Sequence, residues 1–246
     1  PFNSQIKVYK DNFFVTDFQN ILRCYSIKDG EEVWNIKTDS SFIKSQKKLS
    51  LIISDEKVYF NNSIGDISAV DINRGKLVWQ TPTQDSSIYE SSFQLKTSDL
   101  VLANKSILFS NNTNEFYSLD TKTGTLIWQQ KINSTVRPTA IDNFVFTVTE
   151  EGFLVIIESE TGNIIRITNV FDRIKEKKRS NIKPIGFVVG SKNIYLTTST
   201  GRLITIDIST GKPILMIKVD NKNISRPFIL DKKLFIIKDN AIIKLD

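Results

Sequence analysis

The sequence predicts an all-β fold, a β-propeller of four-stranded antiparallel blades, and three observations predict it. A hairpin phrase recurs along the chain, two further short strands precede each copy, and helical periodicity is nearly absent. Aligned on a turn glycine, the copies are LRCYSIKDGEEVW (22–34), ISAVDINRGKLVW (67–79), FYSLDTKTGTLIW (116–128), LVIIESETGNIIR (154–166) and LITIDISTGKPIL (203–215). Their glycines, Gly30, Gly75, Gly124, Gly162 and Gly211, lie 45, 49, 38 and 49 residues apart. A sixth copy begins at AIIKLD (241–246).

Each copy reads as an alternating strand, a carboxylate or serine, a tight turn whose glycine tolerates positive φ, and a second strand. Upstream lie the paired strands SLIIS-DE-KVYF (50–60), LVLA-NK-SILF (100–109), PTAI-DN-FVFTV (138–148), FVVG-SK-NIYLT (187–197) and PFIL-DK-KLFII (227–237), with a weaker pair, IKVY-KDN-FFVT (6–16), at the start. Four short strands per repeat of this length make a propeller blade. The blades fall at approximately 5–37, 49–81, 99–131, 137–168, 183–218 and an incomplete 225–246, in one domain spanning 1–246. Residues 170–179, VFDRIKEKKR, have helical spacing enough for a turn or two.

A volume pattern runs through the copies. Those ending in tryptophan (Trp34, Trp79, Trp128) carry Cys24, Ala69 or Ser118 in the preceding strand; those ending in Arg166 or Leu215 carry Ile156 and Thr205 there. An indole needs a small neighbour if interior packing density is to be kept. The same slot gives Cys24 the role of a small buried apolar residue.

Composition narrows the chemistry. The 246 residues include one cysteine and no histidine, which removes the usual general base and the commonest metal and haem ligand, and rules out an internal disulfide. Hydrolase triads and zinc sites are not expected, and neither is any cofactor or catalytic residue. The formal net charge of +6 is largely scattered, unlike a nucleic-acid footprint. Denser basic runs occur at KSQKK (44–48) and RIKEKKR (173–179), which read as solvated loops or as contacts to an acidic partner or anionic lipid. The recurring acids Asp71, Asp120, Glu158 and Asp207 fall once per blade, the pattern of turn-stabilising side chains and not of a catalytic cluster. No apolar run approaches the roughly 18 residues that span a bilayer.

The phrase GDISAVDINRGKLVW (65–79) resembles the PQQ-type propeller repeat of quinone-dependent alcohol dehydrogenases. Within that superfamily the chain is most similar to the BamB family, an eight-bladed lipoprotein component of the outer-membrane β-barrel assembly machinery. The similarity lies in the C-terminal blades, at 65–80, 100–130 and 201–246. The residues by themselves read either as a six-bladed ring closed imperfectly or as the C-terminal portion of a longer chain. The resemblance implies the second, part of an eight-bladed ring whose remaining blades and closing strand come from N-terminal sequence. It also implies a non-catalytic periplasmic scaffold, peripheral to the outer membrane and held there through an N-terminal lipid anchor that this chain does not include. Its partners would be a BamA-like barrel subunit and unfolded outer-membrane proteins. Family docking loops correspond to SSFIKSQKK (40–48), with Phe42, Ile43, Lys44 and Gln46 as contacts, and to FQLKTSD (93–99), where Asp99 is the acidic residue. Lys44 stands where the family pattern has an arginine, and lacks its bidentate fork.

Other functions remain open from sequence. A quinoprotein dehydrogenase would share the repeat and require a cofactor pocket. A luminal binding or sensor propeller would use the sequons at Asn61, Asn104, Asn111, Asn133 and Asn223, although a chain rich in Asn, Ser and Thr supplies these by chance. Addition of a client strand to a blade edge is compatible with the scaffold.

Overall fold

The computed structural model describes residues 1–38, 47–83 and 95–245. Among them lie six antiparallel sheets in which strands follow one another in chain order. The first three sheets are β1–β4 (Lys7–Tyr9, Asn12–Thr16, Ile21–Ser26, Glu32–Lys37), β5–β8 (Leu51–Ser54, Lys57–Asn61, Ile67–Asp71, Leu77–Thr81) and β9–β12 (Val101–Ala103, Ser106–Ser110, Phe116–Asp120, Leu126–Gln130). The next two are β13–β16 (Thr139–Ile141, Phe144–Val148, Phe153–Glu158, Ile164–Asn169) and β17–β20 (Pro184–Val189, Asn193–Thr198, Arg202–Asp207, Pro213–Lys218). The last has three strands, β21–β23 (Phe228–Leu230, Lys233–Lys238, Ala241–Leu245). The expectation of all-β, four-stranded blades is borne out. The helix expected within 170–179 is a single turn, α1 (Glu176–Arg179). It is this short because Val170, Phe171 and Ile174, ahead of it, are buried in the core.

The chain divides into two compact units, Pro1–Gln129 and Gln130–Asp246. In the first, the period of two along each strand feeds two separate core layers. On β6 and β7, Tyr59, Ile67 and Ala69 face a cluster with Trp79, Leu100, Ile107 and Phe109. Val58, Phe60 and Val70, from the alternate positions, face Phe14, Leu22, Cys24 and Leu51. The β5–β8 sheet is thus buried on both sides, between β1–β4 and β9–β12. That explains why "ISAVD" is apolar or small at both parities, as a strand covered on both faces requires.

The second unit has one larger aliphatic cluster. It joins Phe146, Val148, Leu154 and Ile156 of the fourth sheet to Phe187, Ile194, Leu196 and Ile204 of the fifth. Val170, Phe171, Ile174 and Ile182, from the connection between them, complete it.

The hairpins follow local turn chemistry. In four of them the glycine N–H donates to the carbonyl of the strand-ending acid: Gly75 to Asp71, Gly124 to Asp120, Gly162 to Glu158 and Gly211 to Asp207, at 2.8–2.9 Å. These glycines have φ of 64–76°, a left-handed conformation with no steric cost for glycine. In the first copy Ser26 takes the place of the acid. A bulge one residue before Ser26, Asp71, Glu158 and Asp207, such as that between Ala69 and Val70, accompanies the pairing of Ala69 with Trp79 and of Cys24 with Trp34.

Candidate functional site

The recurring carboxylates are consumed by their own turns. Asp71 Oδ1 accepts the N–H groups of Asn73 and Arg74, and Asp120 Oδ1 those of Lys122 and Thr123. Asp207 Oδ1 accepts the Ser209 and Thr210 hydroxyls and the Thr210 N–H. The Ser209 hydroxyl is foremost among the donors that hold the Asp207 carboxyl down at about 2. Asp120 is lowered too, chiefly by the Thr123 N–H. These acids sit one per sheet at equivalent turns, so they are locally satisfied and do not converge on a shared centre.

Trp34 and Trp79 clamp the three sheets of the first unit together. Trp34 lies against Gly75, where a Cβ would come within 2.6 Å of its ring, and its Nε1 donates to Ile72 O at 3.1 Å. Trp79 repeats the arrangement one sheet later, 2.5 Å from a Cβ at Gly124 and donating to Thr121 O at 3.2 Å. The turn glycine therefore has two roles, positive φ and a bare surface for the indole. In the first two copies the small residue paired with the tryptophan also lies opposite an aromatic ring on its other neighbouring strand, whereas Ser118 lies opposite Leu108. Cys24 lies between Phe14 and Trp34, whose centroids are 5.8 Å apart, and Ala69 between Tyr59 and Trp79, 5.9 Å apart. Two rings converge over Cys24 and over Ala69, which accounts for the small volume at those two positions. Ser118 keeps to the volume pattern by size, since its hydroxyl is buried with no hydrogen-bond partner. Burial pushes the Cys24 thiol up to about 11, so it is an inert packing residue.

In the second unit Arg166 takes the tryptophan position. It pairs with Ile156, its aliphatic stem lies 3.1 Å from a Cβ at Gly211, and its Nη1 donates to Ser209 O. The guanidinium supplies the donor that the indole supplies elsewhere.

The remaining candidate residues lie in the connections between sheets. Of the docking residues expected from sequence, Phe42, Ile43, Lys44 and Gln46 lie outside the described residues. Asp99 is described and half-buried, two residues before β9. The described stems of the two loops meet in a polar network. Asn61 Oδ1 accepts the Ser50 N–H at 2.7 Å while its Nδ2 donates to Thr97 Oγ1 at 2.6 Å. Ser50 Oγ accepts the Leu100 N–H at 3.0 Å, and Lys47 Nζ donates to Thr97 O. Asn20 and Ser63 bond reciprocally beside them, at 2.8 and 3.1 Å. Residues 47–50 and 97–100 are thereby fixed as the rigid base of both candidate loops.

Sequence reasoning missed Asn61, Ser50 and Thr97. The available signal was the recurrence of Asn-Asn-Ser/Thr (61–63, 111–113) at the same turn of successive blades. Asn61 and Asn111 are 3% and 1% exposed, and Asn111 Oδ1 accepts the Thr113 and Glu115 N–H groups. These two sequons are therefore structural asparagines with no room for a glycan. The second unit also holds a half-open groove of about 830 Å³ at its hairpin tips, with Ile141, Val189, Tyr195 and Ile229 as apolar walls and Lys192 and Lys232 beside them.

Comparisons with known proteins bear on the family of this chain. The family model described as outer membrane protein assembly factor BamB matches residues 1–168 and 176–246. No curated protein sequence matches the chain. Among solved structures, BamB from Moraxella catarrhalis is similar at 15% identity and a TM-score of 0.61, over 99% of this chain and 84% of that one. The computationally designed Ika8 protein gives a TM-score of 0.73 at 14% identity, over 98% of this chain and 69% of that one. The quinohemoprotein alcohol dehydrogenase from Comamonas testosteroni gives 0.65 at 13% identity, over 89% of this chain but 43% of the enzyme. At such identities the structural likeness carries the propeller fold alone.

Proposed function

The chain belongs to the BamB family of outer-membrane protein assembly factors, and from that premise we propose that it is a non-catalytic scaffold of the β-barrel assembly machinery. In this reading it works in the periplasm, peripheral to the outer membrane, docks on a BamA-like barrel subunit and aids delivery of unfolded outer-membrane proteins. The observation that carries the reading beyond family membership is the fate of the polar side chains. The recurring acids close turns, the tryptophans close interfaces between sheets, and the buried amides and hydroxyls anchor loop bases. The recurring acids Asp71, Asp120, Glu158 and Asp207 each have a hydrogen-bond partner within their own turn. The likeness to the dehydrogenase resides in the repeat, and the chain spans less than half of that enzyme.

Docking is assigned to the loops containing Phe42, Ile43, Lys44, Gln46 and Asp99, carried on the rigid base at 47–50 and 97–100. A cation and apolar residues on one loop and a carboxylate on the next would give a partner both charge complementarity and a hydrophobic anchor. The test is capture of a barrel subunit from solubilised envelopes by the tagged chain. The expected result is retention of that subunit, reduced at least severalfold by Lys44→Glu. Retention unaffected by the variant contradicts the assigned loop, and absence of the subunit contradicts the scaffold.

A further inference from the structure

We propose that residues 170–183, which connect the fourth and fifth sheets, form a rigidly mounted basic knuckle that docks on an anionic phospholipid surface. The segment carries Arg173, Lys175, Lys177, Lys178, Arg179 and Lys183 against Asp172 and Glu176. Much of the charge excess of a chain with net +6 is thus concentrated in one short connection. The family match omits 169–175, so the first half of this connection lies outside the shared pattern.

The mount is apolar. Val170 and Phe171 are fully buried, and Ile174 and Ile182 nearly so, all in the core cluster of the second unit. The Phe171 ring lies where a Cβ on Gly152 would be 2.1 Å away, and the Val170 N–H donates to Gly152 O. Turn hydrogen bonds from Ile174 to Phe171, Lys178 to Lys175 and Ile182 to Arg179 hold the backbone between these anchors. Such anchoring leaves little conformational entropy to lose on binding.

The two kinds of cation are used differently. Arg173 donates to Ile214 O at 3.0 Å, and Arg179 to Ile174 O and Asp172 O at 2.8 and 2.9 Å, so the arginines brace the fold. Lys175, Lys177 and Lys178 are exposed, and among the described residues their ammonium groups have no partner. Like charges held this close repel one another, a cost that an anionic surface would relieve. Lysine is depleted in protein–protein interfaces, where arginine and aromatic residues dominate, whereas clustered lysines suffice for diffuse attraction to acidic headgroups. The Arg173 contact also places the knuckle beside Ile214 and Leu215 of β20, each 51% exposed, which supply aliphatic surface next to the charge. Basic and aliphatic groups side by side fit a headgroup layer better than an acidic protein.

The test is co-sedimentation of the chain with vesicles of phosphatidylcholine alone or mixed with phosphatidylglycerol. Binding is expected only to the mixed vesicles and should weaken as ionic strength rises. Neutralising three lysines (Lys175→Gln, Lys177→Gln, Lys178→Gln) should lower the partition coefficient roughly a hundredfold. Neutralising Lys28, Lys105 and Lys131 instead, an equal change in net charge, should cost at most a fewfold. Equal loss in both triple variants, binding to neutral vesicles, or no binding overturns the proposal. So does capture of an acidic protein that depends on the three lysines while vesicle binding does not. The salt dependence of the unaltered chain provides a reading that no folding defect in a variant can imitate. Failure here leaves docking on a barrel subunit untouched, since that resides in other loops.

Discussion

The two units apply one repeat in different ways. In Pro1–Gln129 the sheets are clamped by the indoles of Trp34 and Trp79, both seated on a turn glycine and donating to the next turn. In Gln130–Asp246 Arg166 occupies that position, and the core is a broader aliphatic cluster reinforced by the connection 170–183. The first unit spends its polar residues on a buried network of Asn20, Ser50, Asn61, Ser63 and Thr97; the second projects lysines outward. The difference teaches that the repeat specifies a slot and not a residue. Trp34, Trp79 and Arg166 fill it with an N–H donor on a flat or extended apolar stem set against a bare glycine, Leu215 fills it with an aliphatic side chain alone, and the residue opposite differs in volume accordingly.

The largest expected effect follows from the clamp itself. Trp79→Ala removes a nearly buried indole and its hydrogen bond and should destabilise the protein by about 3–5 kcal/mol. Arg166→Ala removes one partly exposed hydrogen bond and should cost about 1 kcal/mol. Urea denaturation of both variants checks the asymmetry, and equal losses would break the comparison.

A smaller effect tests the volume rule. Ala69→Leu puts a larger side chain between Tyr59 and Trp79 and should cost about 1–3 kcal/mol through overpacking. Thr205→Leu, at the corresponding position opposite Leu215, meets no indole and should be tolerated far better. Thermal unfolding of the pair distinguishes these outcomes, and a neutral Ala69→Leu would sink the account of the small slot.

The smallest effect concerns the turn acids. The Asp207 carboxyl titrates at about 2 in the folded chain against an ordinary 3.8, so its contribution is fully present above that ordinary value and is lost as pH falls from there to about 2. The stability difference between the parent chain and Asp207→Asn should therefore be constant near neutrality and shrink through that acid window. A difference unchanged at the acid end contradicts the turn role.

How much of this was legible in the sequence depends on the range of the interaction. The hairpins were, because Asp71, Gly75 and their equivalents satisfy one another within a few residues. The pairing of small residues with tryptophans was also visible, since cross-strand neighbours constrain each other's volume. The seat of each indole was not: Gly75 is far along the chain from Trp34, and only the stacking of sheets brings them together. The loop-base network was hidden for the same reason, its amides looking in sequence like surplus asparagines. The helical spacing of 170–179 yields a single turn at Glu176–Arg179, because Val170, Phe171 and Ile174 ahead of it serve as a buried anchor. Of the docking residues read from the family resemblance, Asp99 has a defined place, half-buried at the base of its loop.

The central claim is that partner binding resides in the connecting loops while the repeated hairpins only hold the fold. Titration of the periplasmic region of a BamA-like subunit onto the purified chain, with Lys44→Glu and Asp71→Asn compared side by side, tests it most directly. The account predicts measurable affinity, weakened at least tenfold by Lys44→Glu and unchanged by Asp71→Asn. Equal affinity for both variants, loss with the hairpin variant alone, or no binding by the parent chain would contradict it.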